Sequence, residues 1–463
     1  MFSVTSLGFL PFMALFVCLW YRVPQPSRWK LVLAANAVFC LSIDIGAFFA
    51  VALATAVVWQ AAQHAQPEQP SRRGWLALGL AAALLPLLVL KYSGMLVPGL
   101  RDLYKPFGLA YYSLQLAGYL LDVWHGRTAP TPSYARLWCY AGFFLSLTQG
   151  PFNRYNTLMP QLEAAPKTFE TQRLVSGLQR SAWGYFKKFA IADRAAIVVS
   201  AAFADPASFD RSQLIFATVM YSFQLYADFS GYTDIVLGMG EILGLHLPEN
   251  FRQPFFFCQR QGAVGPVAYQ PFAVVPGLCV YPTGRQPQGH CPAGCNLLLT
   301  FLVSGLWHGA NWTFLVWGGL HGLCQVAEDH MPAPLRKRKS LPLRIVGVPL
   351  TFAIFVTTFT IFRTSSLGNA AAYFAGILHN PGHEVFAQYW LLGLTSKLEL
   401  LLLLLGIALL VLVDVLHECG LHLRAWVNAA PRPVRWAVYE FAIFAFLLMA
   451  SFYSNTGFLY ARF

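Results

Sequence analysis

The sequence predicts an all-α polytopic membrane protein with about 11 membrane-embedded helices, some of them re-entrant. Three observations carry this. Hydrophobic residues make up 57% of the 463 positions. Charged residues make up only 11%, where a soluble domain carries about 25%. Apolar runs also recur from one end of the chain to the other. This composition excludes a soluble globular protein and a disordered chain. The net charge of +12, drawn from so few charges, fits Lys and Arg in cytoplasmic loops better than a nucleic-acid footprint.

The runs follow in order. Residues 7–21 have no basic segment before them and no small-residue cleavage site after them, so they read as a retained first helix. Residues 31–59 are long enough for two passes, and 75–90 and 109–123 follow. Residues 137–147 are too short to span, since a straight pass needs about 20 residues. The polar interval 153–179 holds Pro160 and Pro166 and reads as loop plus a short amphipathic helix. The remaining runs are 214–226, 296–323, 345–362, 391–416 and 437–452. Short or Gly/Pro-broken apolar segments suggest re-entrant helices lining a cavity. The most basic loops, 21–30, 71–73, 336–344 and 424–435, should face the cytoplasm and leave the N-terminus outside. No internal repeat or low-complexity linker divides the chain, so residues 1–463 form one membrane domain. Of the nine Cys, Cys18, Cys40, Cys139, Cys324 and Cys419 stand in apolar context as small hydrophobes. Cys258, Cys279, Cys291 and Cys295 fall in one stretch.

Polar groups inside apolar segments point to chemistry, because burying them is costly. Residues 185–196 place Lys187, Lys188, Asp193 and Arg194 at helical spacing. They read equally well as an interfacial helix with snorkelling lysines or as a site using Asp193 or Arg194. Residues 221–255 carry Gln224, Asp228, Asp234 and Glu241. Their glycines do not form a dinucleotide fingerprint. Gly231, Gly238, Gly240 and Gly244 suit close helix packing instead. Residues 302–322 hold His308 in mid-segment, with Asn311 roughly one helical turn on. A lone His is usually a satisfied core residue. In a membrane segment an imidazole is also a natural general base for a hydroxyl, and Asn311 would orient it or bind an oxyanion. His321 reads as structural, capping carbonyls near the segment end. Asp228, Asp234 and His308 would also serve a proton or substrate path in a transporter. The paired inverted repeats of common transporter folds are absent from the sequence.

At these residues the chain resembles the membrane-bound O-acyltransferase superfamily, on the alginate O-acetylase-like branch. The matching blocks are LDVWHGR (121–127), QGPFNRYNTLMPQL (149–162), GYFKKFAIADR (184–194), YADFSGYTDIVLGMGEILGLHLPENFRQPF (226–255), LWHGANWTFLVWGGLHG (306–322) and FLYARF (458–463). The first 100 residues resemble the family only in hydropathy. The resemblance implies helices around a central tunnel, with an acyl donor entering from the cytoplasmic side and the acceptor from the other. It implies an O-acetyltransferase acting on hydroxyls of an exported or cell-envelope polysaccharide. The donor would be acetyl-CoA or an acyl-carrier thioester, with no bound cofactor or metal. An extracytoplasmic acetyltransferase partner and the bacterial inner membrane are implied with it. The family's essential tunnel histidine maps onto His308, with Asn311 in support. Tyr226, Asp228, Arg252, Asp193 and Arg194 become candidate tunnel or donor contacts, with helix packing as their plain alternative. D-alanyl transfer to teichoic acid is the nearest alternative cargo. A transporter and an inactive remnant also stay open.

One stretch departs from the family pattern. A Trp-His-Ile-Ser block normally precedes the His308 segment, and residues 257–295 lack it. They contain no Asp, Glu or Lys, but six Gly and six Pro, which excludes a regular helix. His290, Cys291 and Cys295 make only a weak zinc pattern, because no second Cys/His pair accompanies them. The genetic code gives a better account. Back-translated and read one nucleotide later, Val267–Gln270 permits Trp-His-Ile followed by Ser or Arg. The same shift lets residues 280–289 read Tyr-Ile-Pro-Leu-Gly-Gly-Asn-Arg-Lys. Both strings belong to the family at this spacing, and the pattern resumes at Asn296 without a net length change. Residues 257–295 are therefore expected to be a frameshifted segment.

Overall fold

The computed structural model describes residues 3–100, 103–166, 168–249, 293–331 and 341–451. Among them every regular element is helical. The helices are α1 (Phe9–Arg22), α2 (Arg28–Ile43), α3 (Ile45–His64), α4 (Arg72–Leu96), α5 (Leu109–Trp124), α6 (Tyr134–Ala141) and α7 (Tyr155–Ala164). Next come α8 (Thr171–Phe186), α9 (Asp193–Ala204), α10 (Arg211–Leu243), α11 (Ala293–His308) and α12 (Trp312–Asp329). The last are α13 (Leu341–Arg363), α14 (Leu367–His379), α15 (Lys397–Glu418), α16 (Leu423–Ala429) and α17 (Arg432–Met449). The run 31–59 is two helices. Asp44 separates them by leaving the helical region, and its carboxylate accepts the Gly46 N–H to start α3. The run 296–323 is likewise two, α11 and α12.

α3, α4 and α15 are long and apolar enough to cross a membrane, and α1 and parts of α11 and α13 are shorter apolar helices. The outward surfaces agree. Leu53 on α3 is 70% exposed, and Phe441, Ile443, Phe444, Leu447 and Leu448 on α17 are all above half exposed. Apolar patches of that extent suit lipid, not water.

α10 is the longest element among the described residues. Asp210 and Gln213 close a reciprocal capping box at its start. Gly244 ends it in a left-handed turn at φ +74°. α8 lies along it at glycine-limited distance. Gly177 faces the Gly238 carbonyl, and Gly184 faces that of Gly231. The seven-residue spacing on both helices keeps the small residues on one seam. A Cβ at Gly184 would stand 2.8 Å from the Ile235 nitrogen. The packing role expected for Gly231 and Gly238 is therefore observed. Gly184→Leu should destabilise the protein by roughly 3 kcal/mol, seen as a lowered midpoint of thermal unfolding in detergent. An unchanged midpoint would mean that the seam is not close-packed.

The basic stretch 21–30 lies at the C-terminal end of α10. Tyr21 donates its hydroxyl to the Ile242 carbonyl at 2.6 Å, and Trp20 Nε1 donates to Leu243 at 3.1 Å. Arg28 is not a solvated loop charge. It is buried and donates to the carbonyls of Ala165 and Pro166. Arg424 meets Glu241 at 2.9 Å at the same end. Trp29 stacks under Arg136, and Trp59 and Gln63 donate to the Thr131 carbonyl, which brings the start of α4 and its Arg72 to this end too. The fourth basic loop lies largely outside the described residues.

Candidate active site

α11 and α12 form a tight hairpin. Gly305 packs on the Phe314 carbonyl and Gly318 on that of Phe301, contacts that leave no room for a side chain. The hairpin turns at Gly309 and Ala310, so His308 is the last residue of α11, not a mid-segment residue. Its imidazole is 6% exposed. Trp307, Trp317 and Phe362 stand edge-on around it, with ring centres 4.9, 5.1 and 5.4 Å away.

His308 lines a cavity of about 560 Å³, together with Lys91 of α4, Tyr111 of α5, Thr148, Asn311 and the loop 105–108. Asp44 also lines it and pins that loop, accepting the Tyr104 hydroxyl and, at 3.1 Å, the Phe107 N–H. Burial opposes ionisation of Asp44. The Tyr104 hydroxyl and the N–H groups of Phe107, Ala47 and Gly46 outweigh it and hold the carboxyl below the usual range. Lys91 stands 19 residues along α4 from Arg72, about 28 Å at 1.5 Å per residue. The cavity therefore sits far from the basic end of the molecule.

Asn311 lies near His308 but not along the same helix. It is the N-cap of α12, accepting the Thr313 N–H at 3.3 Å and donating to the Ser365 carbonyl at 2.6 Å. The expectation that it follows His308 by one helical turn fails because the chain breaks between them. His321 is also not at a helix end. It is buried within α12, 3.0 Å from the Thr358 hydroxyl.

The other expected contacts form a separate group. Lys188 is 1% exposed and bridges Asp193 at 2.9 Å and Asp228 at 2.7 Å. Lys187 reaches Asp234 at 2.6 Å, and Arg180 meets Asp234 and Glu241 at 3.1 Å each. The lysines are thus interior ion-pair partners, not snorkelling groups at an interface. Tyr226 donates to Asp414 at 2.8 Å. Arg194 donates to the Met449 carbonyl at 2.9 Å. None of Asp193, Arg194, Tyr226 or Asp228 lines the His308 cavity, because these bonds tie them to α8–α10, α15 and α17. Arg252 lies outside the described residues, as does 257–295 except for its last three positions, which begin α11. Removing Lys188 as Lys188→Met would leave two buried carboxylates without this cation and cost roughly 3–5 kcal/mol. Adding Asp193→Asn and Asp228→Asn should recover part of the loss in a detergent unfolding series. Equal stability of all three proteins would contradict a buried ion network.

Sequence reasoning missed Lys91. The apolar run 75–90 stops one residue short of Lys91, which is the only charge in the inner part of α4, and the residues after it continue the helix. Among the described residues, no group of three or more His, Cys, Asp or Glu side chains is placed to hold a metal. Cys40 and Cys139 are buried, whereas Cys18 and Cys419 are exposed.

The sequence model of the membrane-bound O-acyltransferase family matches residues 283–366, which include both hairpin helices. A probable alginate O-acetylase of Azotobacter vinelandii is 29% identical over 391 residues, covering 79% of this chain and 76% of that protein. A peptidoglycan O-acetyltransferase of Helicobacter pylori is 27% identical over 350 residues, 68% of this chain and 66% of that protein. A teichoic acid D-alanyltransferase of Bacillus subtilis is 24% identical over 336 residues, 67% and 84% of the two chains. With the apolar helices, the buried histidine and these relatives together, the chain belongs to the membrane-bound O-acyltransferase superfamily, on its alginate O-acetylase-like branch, and is an O-acyltransferase.

Proposed function

We propose that the protein is a multi-pass O-acetyltransferase of the bacterial cytoplasmic membrane that esterifies hydroxyls of an exported or cell-envelope polysaccharide. The reading carries with it about 11 embedded helices around a tunnel. The observation that carries it is the His308 imidazole, walled by aromatic rings on a cavity remote from the basic end. If the basic end is cytoplasmic, the cavity lies toward the side where an exported polymer is met.

In this reading His308 takes the proton of an acceptor hydroxyl as its oxygen attacks the thioester carbonyl. The tetrahedral centre collapses, the C–S bond breaks, and the departing thiolate takes up the proton. The aromatic wall excludes water, which would otherwise compete as acceptor. Asn311 supports the site by fixing the start of α12 beside the cavity. The donor is acetyl-CoA or an acyl-carrier thioester approaching from the cytoplasmic side, and an extracytoplasmic acetyltransferase is the expected partner. D-alanyl transfer is the second reading, since teichoic acid D-alanyltransferases are among the relatives at 21–24% identity.

Membranes from a strain lacking its own acetylase, carrying this chain in whichever frame of residues 257–295 supports transfer, separate the readings. Labelled acetyl thioester should give alkali-labile acetyl ester on polysaccharide. Incorporation of labelled D-alanine alone would favour the second. If the cell makes the chain as written, the block upstream of α11 is missing and little or no transfer is expected. A full rate from the chain as written would refute that.

A further inference from the structure

The last four carbonyls of a helix have no partner within it, and they carry about half a negative charge. In α11 those carbonyls belong to residues 305–308, at the edge of the cavity. Two consecutive residues of α4 satisfy three of them. Tyr92 donates its hydroxyl to the Leu306 carbonyl at 2.7 Å. Lys91 Nζ donates to Trp307 at 2.7 Å and reaches His308 at 3.4 Å. Lys91 is 8% exposed and lines the same cavity as His308. A buried ammonium is costly, and a neutral donor would cap carbonyls equally well. Here the ammonium sits on the negative pole of the helix that carries the histidine.

We propose that Lys91 and Tyr92 form a clamp that positions His308. The clamp holds the end of α11 in register with the cavity, and its cation offsets the negative helix pole where an oxyanion and then a thiolate would develop. The first half rests on the geometry, and the second rests on His308 being the general base. Both are positioning residues, because they act through the helix end.

The test uses the full chain in proteoliposomes, in whichever frame of residues 257–295 supports transfer, with Lys91→Met, Lys91→Arg, Tyr92→Phe and His308→Gln. Modification by diethyl pyrocarbonate is quantified by mass spectrometry at His308 and, as a control, at His321. Freeing the helix end in Lys91→Met should raise His308 modification about tenfold and leave His321 at its native rate. Tyr92→Phe should give a smaller rise, and Lys91→Arg should stay near native. In acetyl transfer, Lys91→Met should lower kcat about tenfold with KM unchanged, and Lys91→Arg should recover most of the loss. Global misfolding would instead expose His321 and His308 alike and would count against a local clamp. Native modification of His308 in both Lys91→Met and Tyr92→Phe would overturn the proposal. Transfer retained by His308→Gln would remove the base assignment and leave the modification result as the measure of the clamp.

Discussion

His308→Ala should reduce acyl transfer by about 10²–10⁴-fold, the usual contribution of a positioned general base. The variant should still insert and fold. The imidazole packs among three aromatic rings at the end of α11, so truncating it removes those ring contacts. The hairpin itself is held by the paired glycines of α11 and α12 and by the Asn311 cap. His308→Gln keeps most of the volume and should lose activity equally, which separates lost chemistry from lost packing. The measurement is initial rate of acetyl-ester formation in membranes, normalised to protein in the bilayer, in whichever frame of residues 257–295 supports transfer. A variant that keeps more than about a tenth of the parent rate would move the proton-transfer role elsewhere. Loss of ester formation with retained uptake of a solute would speak for an enzyme, and the reverse for a transporter.

Most helices were legible because burial in lipid or in the core demands long apolar runs, and these stand out in a sequence with little charge. The missed features are short-range. The break between α11 and α12 falls inside one apolar run, yet Gly309 and Asn311 are stop and start signals for neighbouring helices. Read that way, they would have placed His308 at a helix end. The Lys188 group was hidden for another reason. Lys188 and Asp193 are five apart, a spacing that an α-helix does not bring to one face. A π-helical stretch over Lys187–Ala192 accommodates them. The third member, Asp228, comes from a different helix, and no local pattern announces it. Asp193 and Asp228 stand out in the sequence as carboxylates in apolar surroundings, and both are buried. What the sequence could not say is that both pair with one buried cation, Lys188, instead of facing the cavity.

Restoring the reading frame across 257–295 should have an effect as large as removing His308, in the opposite direction. The shifted frame is more constrained than two matching blocks suggest. Pro271 must begin with C, so the codon after Ile is AGC or AAC, and Arg is excluded. Between the blocks, codons for residues 271–279 can be chosen to read Leu-Ser-Arg-Trp-Phe-Arg-Asp-Tyr-Val without interruption, and the reading then runs directly into Tyr-Ile-Pro-Leu-Gly-Gly-Asn-Arg-Lys. A segment whose only charges are Arg260 and Arg285 becomes basic and aromatic, and it regains a second histidine upstream of α11. Pro271, Pro276 and Gly277, which oppose a regular helix, disappear from this stretch. Resequencing the DNA should find one nucleotide gained and one lost near the two ends of the segment. If the DNA instead confirms the written frame, the frame-restored gene should still raise ester formation in an acetylase-null strain by about 10²-fold or more over the chain as written. Equal rates from the two chains would show that transfer needs only the α11–α12 hairpin and its cavity. In that event the Trp-His-Ile-Ser histidine would have no part in the chemistry, and His308 would carry the proton transfer alone.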